Sequence, residues 1–492
     1  METKNNENLL PFDGDGQLPQ ADNDPAGGKT APEATTTPTD EDDYGCSNEG
    51  YRTLLAESNH KLPRDAQLPP VFRELVGNAP QNFKTATFIA ASAPLACLAT
   101  RLRFYYPFDL GPMACLLQTI ICAEQSGGKS FVRHVESVIM EKQKQRDNEQ
   151  RRLEQDYRAL KQKTSKNERL PDPPKTAIVC CPVSISIAQL IKRADAPVRL
   201  YGTPLTLWTF TEELATATES SRRSFSNIKS IMRTAYDLGA EYGVDYLSDN
   251  SYSASVDILY NTMFCTTPSA LDEYMDRKAI EGGNCTRTII YDLGSQLGDE
   301  APMFKRITPQ QQQRIDRTID RMMNDTYADD GVKPEIWIDM AWLDKDVKAW
   351  CKDKNDMAIR SGSTALGVFF KRSSVSAFRI AALCQYLYSI DEGGRSSRNK
   401  VREIYYTMAD QILVGMLDKW GRRYEELQAK RMGQDASPKL NLFDQLPREF
   451  GRELLRQTIK RLELSTPERV FLSKWRARGL VEKVGKNTFR KI

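Results

Sequence analysis

Residues 113–135 read MACLLQTIICAEQSGGKSFVRHV: an apolar run, a short turn ending in Gly128-Lys129-Ser130, and the start of a helix. This is the layout of a phosphate-binding loop, because backbone N–H groups at the turn and helix N-terminus point toward an anion. Lys129 would reach the outer phosphates, and the Ser130 hydroxyl would hold Mg²⁺. The candidate nucleotide-contacting residues are Glu124, Gln125, Ser126, Gly127, Gly128, Lys129, Ser130 and Phe131. The alternative is an ordinary strand-to-helix turn with a solvated Lys129.

Composition excludes several classes of protein. The 492 residues contain no apolar stretch of the roughly 18 residues that a membrane span needs, and the amino-terminal residues are acidic and polar, unlike a secretory signal. Ten scattered cysteines without C-x-x-C pairs fit a reducing compartment. The two histidines, His60 and His134, argue against Ser-His-Asp or Cys-His catalysis. We therefore expect a soluble cytoplasmic protein without a membrane partner.

The hydrophobic pattern divides the chain into five parts. We expect a disordered acidic tail over residues 1–60, a helical lead-in over 61–110 and an α/β core over 111–305. Five short apolar runs separated by helical patterns predict a mainly parallel sheet in the core. A charged helical insertion over 141–172 is interpreted as a solvated hairpin or arm, with a subunit contact as the alternative. A helical region over 306–435 and a small domain over 440–492 follow.

Two neighbouring acids follow the apolar run LTLWTF at residues 205–210. A strand that ends in two acids is the Walker B layout, in which Glu212 holds Mg²⁺ through water and Glu213 is the base that aligns the attacking water. The alternative is a helix first turn, where acids favour the positive end of the helix dipole. The usual first acid is Asp, so the Glu212 side chain is one methylene longer.

Two further polar residues are candidates on later strands. Thr266 ends the run ILYNTMFCT and would sense the γ-phosphate, since ligands bind outside the carboxyl ends of parallel strands. Arg287 follows Gly282 and Gly283 at the head of another strand, from which it would reach a neighbouring subunit's nucleotide. The alternatives are a threonine favoured by β-propensity and a surface arginine.

The last part of the chain is rich in lysine and arginine and predicts a winged helix. The segment LPREFGRELLRQTIKRLEL predicts a helix, and Pro467 lies in the first turn of a second one. The segment LVEKVGKNTFRKI predicts a two-stranded wing with a Gly-Lys-Asn turn. A protein-docking module is the alternative to DNA binding. The candidate DNA-contacting residues are Lys474, Arg476, Arg478, Lys486 and Arg490.

Residues 68–427 together resemble a family of P-loop ATPases from bacteria, phages and mobile elements, catalogued as a domain of unknown function and often found beside primase modules. The resemblance rests on LPPVFRELV, AEQSGGKS, CCPVSISIAQLIKRA, TEELA, the glycines before Arg287, and FRIAALCQYL. It implies a RecA-like or AAA-like core related to primase-associated helicases, which work as rings. Ala123 replaces the first loop glycine, and Glu212 replaces Asp, so both departures leave the rate of turnover open.

The expected function is Mg²⁺-dependent ATP hydrolysis coupled to binding of, or movement on, DNA. The protein would be a replicative helicase-like motor of a mobile element or phage, acting on single-stranded DNA as a homo-oligomeric, hexameric ring. No primase motif is visible, so a priming partner would be a separate protein. One alternative is a non-enzymatic DNA-binding or regulatory protein with a degenerate nucleotide switch. Another is a P-loop phosphotransferase, for which no acceptor pocket is evident.

Overall fold

Short strands alternate with longer helices along the chain. A computed structural model describes residues 61–164, 168–214, 229–244, 253–295, 300–329, 331–392, 397–431, 442–443, 445–461, 467–477 and 480–491. The strands are β1 (Leu102–Tyr105), β2 (Pro112–Met113), β3 (Gln118–Cys122), β4 (Leu207–Thr211), β5 (Glu241–Val244), β6 (Ala254–Asp257), β7 (Tyr260–Thr266), β8 (Thr288–Asp292), β9 (Tyr327–Ala328), β10 (Gly331–Val332), β11 (Ile336–Trp337), β12 (Glu449–Gly451), β13 (Val481–Lys483) and β14 (Thr488–Lys491).

Helices form more of the structure than strands do. They are α1 (Pro70–Gly77), α2 (Lys84–Leu98), α3 (Phe131–Lys163), α4 (Ile187–Tyr201), α5 (Pro268–Tyr274), α6 (Arg277–Glu281), α7 (Pro309–Thr326), α8 (Asp344–Ser361), α9 (Thr364–Glu392), α10 (Arg398–Met416), α11 (Arg422–Arg431), α12 (Arg452–Arg461) and α13 (Glu468–Ala477). One π-helical turn, Leu417–Gly421, joins α10 to α11.

A four-stranded parallel sheet lies at the centre, in the order β4-β7-β3-β8. All residues of β3 and β7 are buried, as expected for parallel strands covered on both faces. Strand β3 pairs in register with both neighbours, so that Cys122 lies level with Thr266 and with Asp292. The carboxyl ends of these strands therefore meet at one edge, which we call the carboxyl edge of the sheet.

The helices pack around this sheet and join it in one apolar core. In α2, almost every residue is buried, and its alanines allow close approach on all sides. An ion pair also joins the lead-in to α7, because Glu74 of α1 accepts hydrogen bonds from Arg314 of α7 at 2.7 and 2.9 Å. The core thus extends from the lead-in helices through the sheet to α9 and α10.

The structure confirms a mixed α/β fold with a parallel sheet and corrects several details of the predicted elements. Within the apolar run at 113–123, a strand of the parallel sheet forms only at Gln118–Cys122, and Met113 pairs with β1 instead. The predicted strand TAIVCC forms a single parallel bridge, between Cys180 and Trp208. The lead-in interval contains helices α1 and α2 but also strand β1. The predicted tail, residues 1–60, lies outside the described residues.

The charged segment after the loop is one helix rather than a hairpin, and it is partly buried. Helix α3 is 33 residues long, and Glu136, Gln143 and Asp147 on it are buried. Asp147 accepts hydrogen bonds from the backbone N–H groups of Val179 and Cys180 at 3.0 and 2.6 Å. Burial raises the pKa of this carboxyl above its ordinary value, although these N–H donors oppose the shift. The segment is therefore more than a solvated arm, because it supports the chain beside β4.

The carboxyl-terminal part has its own cluster of buried residues, around Phe450, Trp475 and Phe489. Strands β12, β14 and β13 form an antiparallel sheet in that order, and helices α12 and α13 precede the β13–β14 hairpin. Helix α13 begins directly after Pro467, as predicted. The chain before α12 forms strand β12 rather than the first part of a helix.

Candidate functional site

The turn between β3 and α3 alternates in backbone handedness. Ser126 and Gly128 adopt positive φ angles of 62° and 76°, whereas Gly127 between them does not. Such alternation of handedness directs successive N–H groups to one side of a turn. A Cβ on Gly128 would lie 2.9 Å from Pro302 and 3.2 Å from Phe83, so glycine is required there on steric grounds as well.

Ala123 occupies the position of the first glycine without strain. It is fully buried, its φ is not positive, and its N–H donates to the carbonyl of Thr266 at 3.1 Å. The position in this loop that has no room for a side chain is Gly127, where an added Cβ would lie 2.9 Å from the Ala123 Cβ. The departure from the motif at Ala123 is therefore compatible with the loop backbone.

Lys129 closes the loop on itself. Its Nζ atom donates hydrogen bonds to the carbonyl oxygens of Ala123 at 2.7 Å and Glu124 at 2.9 Å. These neutral acceptors hold the ammonium at the mouth of the turn, where a charged phosphate oxygen would be a stronger acceptor. Helix α3 begins at Phe131, directly after the loop, and the N–H of Val132 donates to the carbonyl of Lys129 at 3.1 Å.

A cavity of about 460 Å³ at the carboxyl edge contains most of the predicted site. From the loop it is lined by Gln125, Ser126, Lys129 and Ser130, and from the strand ends by Glu212, Glu213 and Thr266. These residues are far apart in the chain, and they meet because β7 lies between β3 and β4. A cavity of this size is within the usual range for small-molecule ligands.

The two acids occupy different environments. The Glu212 carboxylate forms an ion pair with Arg133 of α3 at 3.4 Å, and both side chains are well exposed, so the pair contributes little stability. Glu213 lies in a turn in which its N–H donates to Thr211 Oγ1 at 3.4 Å. Among the described residues, no three carboxylate, histidine or cysteine side chains form a metal-holding group. Mg²⁺ in nucleotide sites needs only one or two protein ligands beside phosphates, so Ser130 and Glu212 suit it.

Thr266 is buried at the end of β7. Its hydroxyl donates to the carbonyl of Thr267 at 3.2 Å, and its own carbonyl accepts from Ala123. The neighbouring Thr267 is the N-cap residue of α5. Thr266 therefore connects the strand end to the loop, and its side chain lines the same cavity as Lys129.

Arg287 lies at the opposite end of the sheet. It precedes Thr288, which pairs with Gln118 at the start of β3. Arg287 thus lies level with Leu117, six residues before Ala123, which is roughly 20 Å at about 3.3 Å per residue. The guanidinium donates to the carbonyl of Gly283 at 3.1 Å and lies 5.8 Å from the ring centre of Tyr236. Arg287 thus cannot reach the loop of its own chain, and its role in a neighbouring subunit stays a prediction.

No protein-family model matches the sequence, and no curated protein matches it.

An ion pair between Asp292 and Lys419 at the carboxyl edge was missed by sequence reasoning. Asp292 ends β8 beside Cys122, and Lys419 lies in the π-helical turn. Burial alone would lower the pKa of the Lys419 ammonium, but the hydrogen bond and charge of Asp292 raise it above its ordinary value. An acid at a strand end was a usable signal for Asp292. Nothing in the local sequence indicates that Lys419 lies at this edge, because only the packing of its helical turn brings it to Asp292.

The predicted DNA-contacting residues differ in their surroundings. Arg476 and Lys486 are exposed. Arg490 pairs with Glu449 at 2.7 Å and Glu482 at 3.3 Å, because these acids lie level with it on the two neighbouring strands. The charge of Arg490 is therefore matched within the sheet. Lys474 is on α13, and Arg478 lies outside the described residues.

In the described part of the chain, no helix has the length and hydropathy of a membrane span.

Proposed function

We propose that this protein is a P-loop ATPase that uses Mg²⁺ and couples hydrolysis to DNA binding or translocation. The observation that carries the proposal is the convergence of Lys129, Ser130 and the acids Glu212 and Glu213 on one cavity at the carboxyl edge. A chance Gly-Lys-Ser tripeptide would not be expected to meet two acids and a buried threonine from separate strands. The site therefore supports phosphoryl chemistry better than an ordinary turn does.

In the proposed reaction, ATP lies with its phosphates against the loop. Lys129 exchanges its two carbonyl acceptors for phosphate oxygens, and Thr266 donates its hydroxyl toward the γ-phosphate. Mg²⁺ at Ser130 and Glu212 would neutralise charge on the phosphates. Glu213 accepts a proton from the attacking water as the new P–O bond forms, and the bond to ADP breaks.

The wider assembly is also part of the proposal. The resemblance to primase-associated P-loop ATPases implies a RecA-like or AAA-like core and a ring, in which Arg287 of one subunit would act at the nucleotide of the next. The two helices and hairpin at the carboxyl-terminal end support a winged helix, with Arg476 and Lys486 as exposed candidates for phosphate contact. Single-stranded DNA is the proposed track.

The test is hydrolysis of ATP by the full chain and by Lys129→Ala, with and without single-stranded DNA. We expect the variant to lose phosphate release while its thermal unfolding stays close to that of the wild type. His134→Ala, an exposed residue one turn further along α3, is the matched control and should remain active. Wild-type turnover by Lys129→Ala would overturn the proposal. Nucleotide binding without turnover in the wild-type protein would favour the regulatory switch.

A further inference from the structure

A second cavity, of about 600 Å³, lies away from the nucleotide site. Its lining comes from the β1–β2 connection, α8 and α9, together with Met113 of β2 and Asp237 in the segment before β5. Further along α9, Arg379 donates to the carbonyl of Leu116, just before β3, at 2.9 Å. The cavity is thus near the amino ends of the parallel strands, and we call it the amino-edge cavity.

The amino-edge cavity has an apolar part, which is built from aromatic, aliphatic and sulfur-containing side chains. Tyr106, Met113 and Phe370 are at most 6% exposed. Phe108 differs, because 58% of it is exposed and its ring packs edge-on against Tyr106 with centroids 5.7 Å apart. A flat ring entering the cavity would therefore meet an aromatic residue at the mouth and an apolar floor behind it.

Positive charge surrounds these apolar walls. The lining contains four cations, Lys348, Lys352, Lys371 and Arg372, and two acids, Asp109 and Asp237, so its own residues carry an excess of two positive charges. Two of the cations also have acids beside them on α8, because Lys352 lies 2.7 Å from Asp356 and Lys348 lies 4.0 Å from Asp344. Ion pairs this exposed are weak, so a phosphate can replace Asp356 at Lys352. The negative charge of Asp237 is already paired, since its carboxylate lies 3.7 Å from Arg372 and 3.5 Å from Arg379.

The region behind Asp237 adds to this excess. Arg379, Arg372 and Arg287 lie 4.1, 5.3 and 5.8 Å from the ring centre of the buried Tyr236. Within the described ranges, no hydrogen-bond partner lies near the buried Nε atoms of Arg379 and Arg287. Burial, followed by the like charge of Arg372, lowers the pKa of Arg287. An anion near this cluster would relieve the repulsion between the guanidinium groups.

We propose that the amino-edge cavity binds single-stranded nucleic acid, with a base stacked on Phe108 and the adjoining phosphates at Lys352 and Lys371. Aromatic rings beside cations are the usual means of holding unpaired bases and their backbone. A duplex cannot insert a base in this way, because its base faces are stacked internally. The inference rests on the proposed function and deepens it by placing the nucleic acid at the edge of the sheet opposite the nucleotide.

The test is binding of a fluorescent thymidine oligomer of about 20 nucleotides to the full chain, since one binding domain covers roughly 4–16. Phe108→Ala should weaken binding about 10-fold, the effect of losing one stacked base. Leu110→Ala is the matched control, because Leu110 is in the same connection and fully exposed but does not line the cavity. Lys371→Glu should lower the salt slope by about 0.7, the contribution of one phosphate contact, whereas Arg360→Glu on α8 should not.

Competition distinguishes the possible ligands. Thymidine monophosphate, blunt duplex and polyglutamate should each displace the oligomer poorly. Full displacement by the monophosphate would identify a site for a free nucleotide, and full displacement by polyglutamate would identify charge alone; either result would overturn the inference. Unchanged affinity in both Phe108→Ala and Lys371→Glu would do the same. Because binding is measured without ATP, it is independent of the Lys129→Ala test, and either proposal can fail separately.

Discussion

The Cβ of Ala123 lies where the side chain of residue 127 would otherwise be, only 2.9 Å from a Cβ built on Gly127. A second contact, to the carbonyl oxygen of Glu124 at 3.0 Å, restricts the same position. Alanine can therefore replace the first glycine of the motif at position 123, provided that position 127 has no side chain.

This relationship predicts that Gly127→Ala distorts the loop. We expect nucleotide affinity to fall about 10-fold or more, because overpacking of this kind costs about 1–3 kcal/mol. Ala123→Gly alone should bind nucleotide nearly as well as the wild type. The double variant should recover part of the loss, since only the Glu124 contact remains. Titration with a fluorescent ATP analogue measures all three, and undiminished binding by Gly127→Ala would contradict the steric argument.

The two acids should separate into two phenotypes. Glu213→Gln should bind ATP and retain it, with hydrolysis slowed by roughly 10²–10⁴ because the general base is lost. Glu212→Gln should instead weaken the Mg²⁺ dependence of binding, since it removes a charged ligand and keeps the shape. Single-turnover hydrolysis and Mg²⁺ titrations distinguish the variants. Rapid hydrolysis by Glu213→Gln would reassign the base.

Arg287 should act only between subunits, because it is roughly 20 Å along the sheet from its own loop. Arg287→Ala and Lys129→Ala, each inactive alone, should regain activity when mixed, since mixed interfaces combine an intact lysine with an intact arginine. Arg277→Ala, at an exposed position on α6, is the control and should be active by itself. Mixtures that stay inactive would remove the role in trans.

The Glu74–Arg314 ion pair predicts a dependence of stability on pH. Hydrogen bonds from Arg314 lower the pKa of Glu74 below its ordinary value of 4.5, against the opposing effect of burial. The stabilisation is therefore complete above pH 4.5 and is lost as the pH falls through the lowered pKa. Glu74→Gln should cost about 1–3 kcal/mol at neutral pH and flatten this acid limb. Urea unfolding between acid and neutral pH measures it, with the exposed Glu149→Gln as control. An equally steep acid limb in Glu74→Gln would assign the dependence to other carboxyl groups.

Local sequence patterns were sufficient to predict the elements that carry the candidate site. The runs that became β3, β4, β7 and β8 are rich in apolar and β-branched residues over five to seven positions. The loop follows β3, the two acids follow β4, Thr266 ends β7, and Arg287 directly precedes β8. The glycines of the loop and the helical periodicity of α3 are equally local. A strand–loop–helix order needs no knowledge of which strands pair, and so the sequence alone could determine it.

The tertiary structure decided what the strands bring together. Only the order β4-β7-β3-β8 places Thr266 beside the loop and the acids across from it, and only the register places Arg287 at the far edge. Likewise, Arg490 meets Glu449 and Glu482 through strand pairing, and Lys419 meets Asp292 through helix packing. These contacts join residues distant in the chain, and their free energy depends on burial and alignment that no local pattern contains. Sequence thus determined the parts of the loop, and packing decided their neighbours.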